Sequence, residues 1–214
     1  MTESYAYGMW PFVVINTAIF IFFVLSYLKP KKRREWRSMG AFGAFTVALF
    51  TEMYGFPLTI YLLTSTLGSR YPVIDPFTHI NGHLWVALSG GSTVMWGLVM
   101  LLSWSAMIGG LVIMGKAWKQ IHKANGELVT SGLYRLVRHP QYFGLFLITV
   151  GFLIQWPTII TAAMWPILML MYYRLARREE KEIESRFGDQ YVTYRQQVPM
   201  FWPRLTTASL IAKA

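Results

Sequence analysis

LVTSGLYRLVRHPQYFG, residues 128–144, places an Arg-His-Pro-x-Tyr cluster between two long apolar segments, and this arrangement decides how the rest of the sequence is interpreted. A doubled acid, Glu179-Glu180, follows the next apolar pair. Polar groups beside a membrane are tolerated when water or a bound polar ligand satisfies them. Two polar clusters flanking one hydrophobic hairpin therefore predict a cofactor pocket at the membrane face.

The composition identifies the class of protein. Hydrophobic residues make up 54% of the 214 residues and charged residues 14%, against about 25% charged in soluble domains. The sequence therefore predicts an integral membrane protein. It contains no cysteine, which excludes disulfide, zinc-thiolate and cysteine-nucleophile chemistry. His79 and His83 have the i, i+4 spacing of a metal clamp, but no acid follows at a supporting distance, and we expect no metal site.

The net charge of +10 raises the alternative of nucleic-acid binding, and the distribution of the charge argues against it. All basic residues except Arg70 fall into clusters after the first apolar run, around residues 116–138 and from residue 174 onward. If all these clusters are cytoplasmic, the positive-inside rule accounts for the charge. The predicted orientation has the N-terminus outside and the C-terminus in the cytoplasm.

About 20 apolar residues cross a bilayer, and this length predicts five spans. They are residues 10–28, 39–67, 83–117, 142–155 and 158–173. The third can also be read as two short helices, but one long helix with a break at Gly90-Gly91 keeps the basic clusters on one side. The last two form a tight hairpin around Trp156-Pro157, whose first arm is short.

The predicted fold is thus an all-α membrane bundle of about five transmembrane helices with a small cytoplasmic cap. Residues 1–214 form one membrane domain, in which residues 1–115 are the substrate side and residues 116–214 the cofactor-binding half. The cap comprises residues 116–141 and 174–214. Since no internal repeat is evident, a transporter built from inverted repeats is disfavoured.

Several residues of the 128–144 stretch are suited to a ligand. Pro140 is placed to start a helix, whose free N–H groups attract an anionic group. Gly144 leaves space for a flat ligand or for a neighbouring helix. Taken singly, Arg138 and His139 are explained as positive-inside anchors, and Tyr142 as part of an aromatic belt. Their combined order favours a functional site, because anchoring does not require that order.

The doubled acid lies where the last apolar helix runs on into water before Gly188. Glu182 and Glu184 are explained as members of a solvated helix with i, i+4 ion pairs. Glu179 and Glu180 lie nearest the membrane surface, where a carboxylate can accept hydrogen bonds from ribose hydroxyls or an ammonium group.

The order GLYRLVRHPQYFG, a helical hairpin and REEKEIESRFGDQYVTY resembles the C-terminal half of the isoprenylcysteine carboxyl methyltransferase and phospholipid methyltransferase superfamily, over residues 125–200. The resemblance implies S-adenosylmethionine bound at the cytoplasmic face and a lipophilic acceptor that enters from the bilayer. The acceptor is an isoprenylcysteine-like carboxylate, a phospholipid amine or a thiol. The cofactor residues implied are Tyr134, Arg135, Arg138, His139, Pro140, Tyr142, Gly144, Glu179 and Glu180.

The same half also resembles membrane sterol reductases, which bind a nicotinamide cofactor. Those enzymes have an acid directly after the glycine, where this chain has Leu145, and about twice as many spans, so the methyltransferase is favoured. Two residues are candidates for catalysis, Arg138 and the intramembrane Glu52. The alternative for Glu52 is a protonated side chain hydrogen-bonded between helices. A non-catalytic transporter or sensor is the remaining hypothesis.

Overall fold

The computed structural model describes residues 7–28, 33–70 and 78–203, and every regular element within these ranges is helical. The helices are α1 Trp10–Leu28, α2 Arg33–Phe50, α3 Leu58–Leu67, α4 Leu84–Leu88, α5 Thr93–Lys123, α6 Pro140–Gln155, α7 Ile159–Phe187 and α8 Asp189–Gln197. A π-helical turn, Thr51–Gly55, joins α2 to α3, and short 3-10 turns lie at Gly68–Arg70, His79–Gly82 and Gly132–Arg135. The predicted all-α fold is confirmed.

Two of the described helices, α5 and α7, are each long and apolar enough to cross a membrane. A third crossing is available if residues 39–55 and 58–70 act together as one bent span. Residues 10–23 and 140–155 form shorter apolar helices. The integral membrane character predicted from the composition agrees with these helices, while the count of five crossings stays a prediction.

The segment predicted as one returning span, residues 39–67, is broken. Its two parts meet at an angle of 65°. The Phe56 N–H donates to the Thr51 carbonyl oxygen at 2.7 Å, an i to i+5 bond that widens the helix by one residue. Pro57 follows, and a proline cannot donate the next helical hydrogen bond. A continuous helix through this point is therefore replaced by a sharp bend.

The third predicted span is one long helix with a break at its start, as the sequence indicated. Helix α4 ends at Leu88, and Gly90 and Gly91 both have positive φ angles, of +71° and +78°. The Ser92 hydroxyl then caps α5 by accepting from the Met95 N–H at 3.3 Å. With 31 residues, α5 is about 46 Å long at 1.5 Å per residue, longer than the hydrocarbon core. Its C-terminal end therefore extends to the cap.

Helices α5 and α6 pack closely along a row of glycines. A methyl group on Gly110 would lie 2.4 Å from the Gly144 carbonyl oxygen, and one on Gly151 would lie 2.6 Å from Met107 Cγ. Small residues allow membrane helices to approach at this distance. On the other side of the bundle, α2 packs against both α1 and α7. The glycine contact therefore fixes the position of α5 relative to α6.

The C-terminal segment returns to the Arg-His-Pro stretch. Gly188, with a φ angle of +53°, ends α7 and lets the chain turn into α8. Beyond α8 the chain lies beside residues 138–139: the Arg138 N–H donates to the Pro199 carbonyl at 2.9 Å and the His139 N–H to the Met200 carbonyl at 3.1 Å. The tail thus fixes the backbone that carries the motif.

Candidate functional site

A cavity of about 590 Å³ opens where the C-terminal end of α5, the start of α6, α7 and α8 meet. Its size is within the range of sites that hold a small molecule. The wall combines residues of the Arg-His-Pro stretch with acids, arginines and aromatic rings. It is lined by Met39, Trp118, Ile121, Gly126, Glu127, Leu128, Val129, Tyr134, Arg138, His139, Gln141, Tyr142, Tyr172, Leu175, Glu179, Glu182, Ile183, Arg186, Phe187, Tyr191 and Tyr194.

Behind the wall, Glu180 joins the two motifs. Its Oε1 accepts from Arg138 Nε at 2.7 Å and lies 3.3 Å from His139 Nε2. Glu180 is 2% exposed and His139 3%, so the contacts are shielded from bulk water. A buried carboxylate is tolerated only with such partners. Residues separated by about 40 positions in sequence are therefore locked together by one charged network.

Arg138 also holds the C-terminal tail. Its terminal nitrogen Nη1 donates to the carbonyl oxygens of Arg195, at 3.0 Å, and Val198, at 2.5 Å. With Nε bonded to Glu180, most of the guanidinium is engaged by the protein itself. This geometry supports a positioning role for Arg138, and its predicted part in catalysis stays a prediction.

The second ring nitrogen of His139, Nδ1, lies outside the contact with Glu180. In the part of the chain that the structure describes, Nδ1 is buried and has no hydrogen-bond partner. The nearest carboxylate oxygen, Glu179 Oε2, is 3.6 Å away, beyond hydrogen-bond range. The Tyr142 hydroxyl donates to the other oxygen of Glu179, and its ring stacks on His139 with centroids 5.6 Å apart. A buried polar nitrogen of this kind needs a ligand or water.

Tyrosines close the cap side of the cavity. The Tyr194 hydroxyl donates to the Tyr134 carbonyl at 2.5 Å, and the Tyr134 hydroxyl donates to Gln141 Oε1 at 3.1 Å. Burial raises the pKa of Tyr134, and the nearby Tyr194 and Glu179 raise it further. Burial also raises the pKa of Tyr194. Both phenols therefore stay protonated and act as hydrogen-bond donors.

The structure brings most of the sequence-derived candidates together. Tyr134, Arg138, His139, Tyr142 and Glu179 line the cavity, and Glu180 lies directly behind it. Pro140 is buried and begins α6, as its position in the sequence indicated.

Three candidates lie elsewhere. Arg135 is exposed and Gly144 faces α5, where a methyl group would lie 2.6 Å from the Gly110 carbonyl; neither lines the cavity. Glu52 is 3% exposed and accepts from the Thr59 N–H at 2.8 Å, so it stabilises the bend between α2 and α3. This contact agrees with the structural alternative for Glu52, and it does not bring the carboxylate to the cavity.

Sequence reasoning missed the wall contributed by α5 and by the last turn of α7. Trp118, Ile121, Glu127, Arg186 and Phe187 all line the cavity. The available signal was the pair of aromatic rings Trp118 and His122, one helical turn apart at the polar end of α5, whose centroids are 4.3 Å apart. Such a pair is also typical of a membrane interface, so only the fold assigns Trp118 to the site.

The comparison with known families identifies this region. The model of the isoprenylcysteine carboxyl methyltransferase (ICMT) family matches residues 95–185, which include α5, the motif, α6 and most of α7. Residues 95–185 are thus similar to the isoprenylcysteine carboxyl methyltransferase family. The resemblance seen in the sequence and the predicted enzyme class, a methyltransferase, are thereby confirmed.

Curated relatives extend the match beyond the methyltransferase region. The chain is 27% identical to protein-S-isoprenylcysteine O-methyltransferase B of Arabidopsis thaliana over 73% of its own length and 79% of the plant protein. It is 27% identical to the rat protein-S-isoprenylcysteine O-methyltransferase over 67% of its length and 59% of the rat protein. The cobalt-zinc-cadmium resistance protein CzcN of Cupriavidus metallidurans is 30% identical over 52% of the chain and 53% of that protein. The chain thus spans little more than half of the last two relatives.

Proposed function

We propose that this protein transfers a methyl group from S-adenosylmethionine to a lipophilic acceptor that reaches the site from the bilayer. The observation that carries the proposal is the cavity in which Tyr134, Arg138, His139, Tyr142 and Glu179 meet. It lies at the polar ends of the two helices most able to cross a membrane, α5 and α7. A polar cofactor and an apolar acceptor can meet at such a place.

The residues of the cavity fit the cofactor. Arg186 offers a guanidinium to a carboxylate, and Glu179 and Glu182 offer acceptors to ribose hydroxyls or an ammonium group. The aromatic rings of Trp118 and Phe187 suit a flat base. The unbonded His139 Nδ1 supports the same assignment, because a ligand would satisfy it.

When bound, S-adenosylmethionine supplies a methyl group on a positively charged sulfur. The protein then has to orient the acceptor and exclude water. Glu180 holds His139 and Arg138 in place, Tyr142 orients Glu179, and Tyr194 holds the turn that carries Tyr134. An acceptor that is already a carboxylate or thiolate needs no base from the protein. Neither Glu52 nor Arg138 is required to move a proton in that case.

For the acceptor, we propose a carboxylate on a prenylated cysteine or a similar lipid-linked group. Relatives named protein-S-isoprenylcysteine O-methyltransferase support this choice. The apolar part of the wall supports it too, because Met39 of α2 and Tyr172 and Leu175 of α7 line the cavity. A phospholipid amine or a small thiol remains the alternative class that a labelling experiment would reveal.

Calorimetry with S-adenosylhomocysteine tests the cofactor assignment. We expect micromolar binding to the detergent-solubilised protein and at least tenfold weaker binding to His139→Ala, because each lost hydrogen bond to a charged or polar ligand is worth about 1.5 kcal/mol. Gln196→Ala is the control, since Gln196 is exposed on α8 and does not line the cavity. Unchanged binding by folded His139→Ala, or binding of NADPH in place of S-adenosylhomocysteine, would contradict the proposal.

We also propose that the cap faces the cytoplasm and the turn at Gly68–Arg70 faces outside, as the basic clusters indicate. The absence of cysteine from the sequence gives a clean test. Ser69→Cys and Asp189→Cys both replace exposed residues. In intact cells, a membrane-impermeant maleimide should label Ser69→Cys, and it should label Asp189→Cys only after permeabilisation. The reverse pattern, or labelling of both in intact cells, would refute this orientation.

A further inference from the structure

A second, shallower groove lies outside the cofactor cavity, at the C-terminal end of α5. It has a volume of about 370 Å³ and is lined by Lys116, Lys119, Gln120, Lys123, Gly132 and Leu133. No carboxylate is among these residues. Three lysines of one helix thus face the turn Gly132–Arg135, with Gln120 between them.

The Gln120 side chain gives the groove a fixed floor. Its Oε1 accepts from the Leu133 N–H at 3.2 Å. Its Nε2 lies so close above Gly132 that a methyl group there would come within 1.7 Å of it. Gly132 itself has a φ angle of +61°, which a residue with a side chain rarely adopts. The amide therefore joins α5 to the turn and places a donor group among the three ammonium groups.

The lysines continue an apolar stripe of α5. One face of the helix carries Leu98, Val112, Lys116 and Lys123, because successive members of this set are separated by four residues or by multiples of seven. Leu98 is 47% exposed and Val112 47%, and the three lysines are exposed as well. This face carries the exposed Leu98 and Val112, with Ser105 and Gly109 between them, and it ends in a cluster of positive charge.

We propose that this face binds an anionic phospholipid, with its phosphate in the lysine groove and an acyl chain along the exposed stripe of α5. Three positive charges without a carboxylate complement a phosphate, and the adjoining stripe complements the lipid tail. Basic pockets beside membrane helices bind the headgroups of anionic lipids in this way. Because the headgroup bridges α5 and the turn Gly132–Arg135, the lipid also braces the segment that carries Tyr134 of the cofactor cavity.

Lipid retention measured by native mass spectrometry tests the proposal. The purified protein is exposed to phosphatidylglycerol, to phosphatidylcholine or to glycerol phosphate. We expect selective retention of phosphatidylglycerol. In the triple variant Lys116→Gln/Lys119→Gln/Lys123→Gln, retention should fall at least tenfold, because each interfacial basic residue contributes several-fold to binding.

Lys181→Gln is the matched control, since Lys181 is an exposed lysine of α7 that does not line the groove. It should retain phosphatidylglycerol like the parent protein. An unchanged circular-dichroism spectrum and an unchanged unfolding temperature in detergent show that the triple variant is folded. A second variant, Val112→Ser, should weaken retention of phosphatidylglycerol without removing charge. Equal retention by parent and triple variant, equal retention of phosphatidylcholine, or equally strong binding of glycerol phosphate would overturn the proposal.

Discussion

Replacing Glu180 by Gln should destabilise the cofactor half by about 3 kcal/mol and greatly weaken cofactor binding. The substitution keeps the shape of the side chain but leaves the Arg138 guanidinium, whose side chain is 11% exposed, without its counter-charge. Breaking a buried ion pair from one side costs about 3 to 5 kcal/mol. The oxygen that contacts His139 also becomes a neutral amide oxygen, which is a weaker acceptor than a carboxylate oxygen. Chemical denaturation in detergent and calorimetry with S-adenosylhomocysteine measure the two effects.

A double substitution distinguishes the effect of the unpaired Arg138 charge from the effect of losing the Glu180 carboxylate. In Arg138→Met/Glu180→Gln the unpaired charge is gone, and we expect part of the lost stability to return. Cofactor binding should stay weak, because His139 is held only by a neutral amide oxygen and Arg138 no longer anchors the C-terminal segment. Asp189→Asn is the control, since it removes an exposed acid at the start of α8. If Glu180→Gln behaved like Asp189→Asn, the network would have no part in holding the site.

Replacing Gly144 by Val should cost about 3 kcal/mol of stability, at the upper end of what overpacking a tight contact usually costs. A β-carbon at this position would lie 2.6 Å from the Gly110 carbonyl oxygen and 2.7 Å from Met114 Cγ. The first of these atoms belongs to the backbone, so α5 and α6 would have to move apart. The thermal unfolding temperature of the detergent-solubilised protein should fall clearly.

Gly109→Ala is the matched control for the Gly144 variant. Gly109 adjoins Gly110 on α5, yet a β-carbon there meets no atom within 4 Å. Alanine also favours a helix more than glycine does. We therefore expect equal or slightly higher stability for Gly109→Ala. A folded, stable Gly144→Val protein with weakened S-adenosylhomocysteine binding would instead favour the first hypothesis from the sequence, a glycine that admits the cofactor.

Much of the cofactor half could be predicted because local rules determine it. Pro140 as a helix start, Gly188 as a helix end and the break at Gly90-Gly91 follow from backbone preferences of single residues. The apolar lengths predicted the long helices. The bend at Thr51–Gly55 escaped this reasoning, because the apolar pattern on both sides of Pro57 reads as one span and the π-helical turn depends on a single displaced hydrogen bond.

The sequence predicted which residues belong to the site better than it predicted the role of each residue. Order along the chain marked Arg138, His139, Tyr142, Glu179 and Glu180 as a group. It gave no means to tell Glu180, which lies behind the wall, from Glu179, which lies in it. Nor did it show that Arg138 holds the tail through the carbonyls of Arg195 and Val198. These distinctions depend on contacts between residues far apart in sequence.

The sequence by itself determined that this is a helical membrane protein with the Arg-His-Pro-x-Tyr and double-acid motifs of a methyltransferase, because apolar length, proline and glycine preferences and motif order are local properties. Only the tertiary structure decided that Gly144 serves the contact between α5 and α6, that Glu52 stabilises a bend, and that Trp118 and Arg186 complete the cavity. The physical reason is that packing and hydrogen bonding join side chains by distance in space, which no spacing along a single chain records.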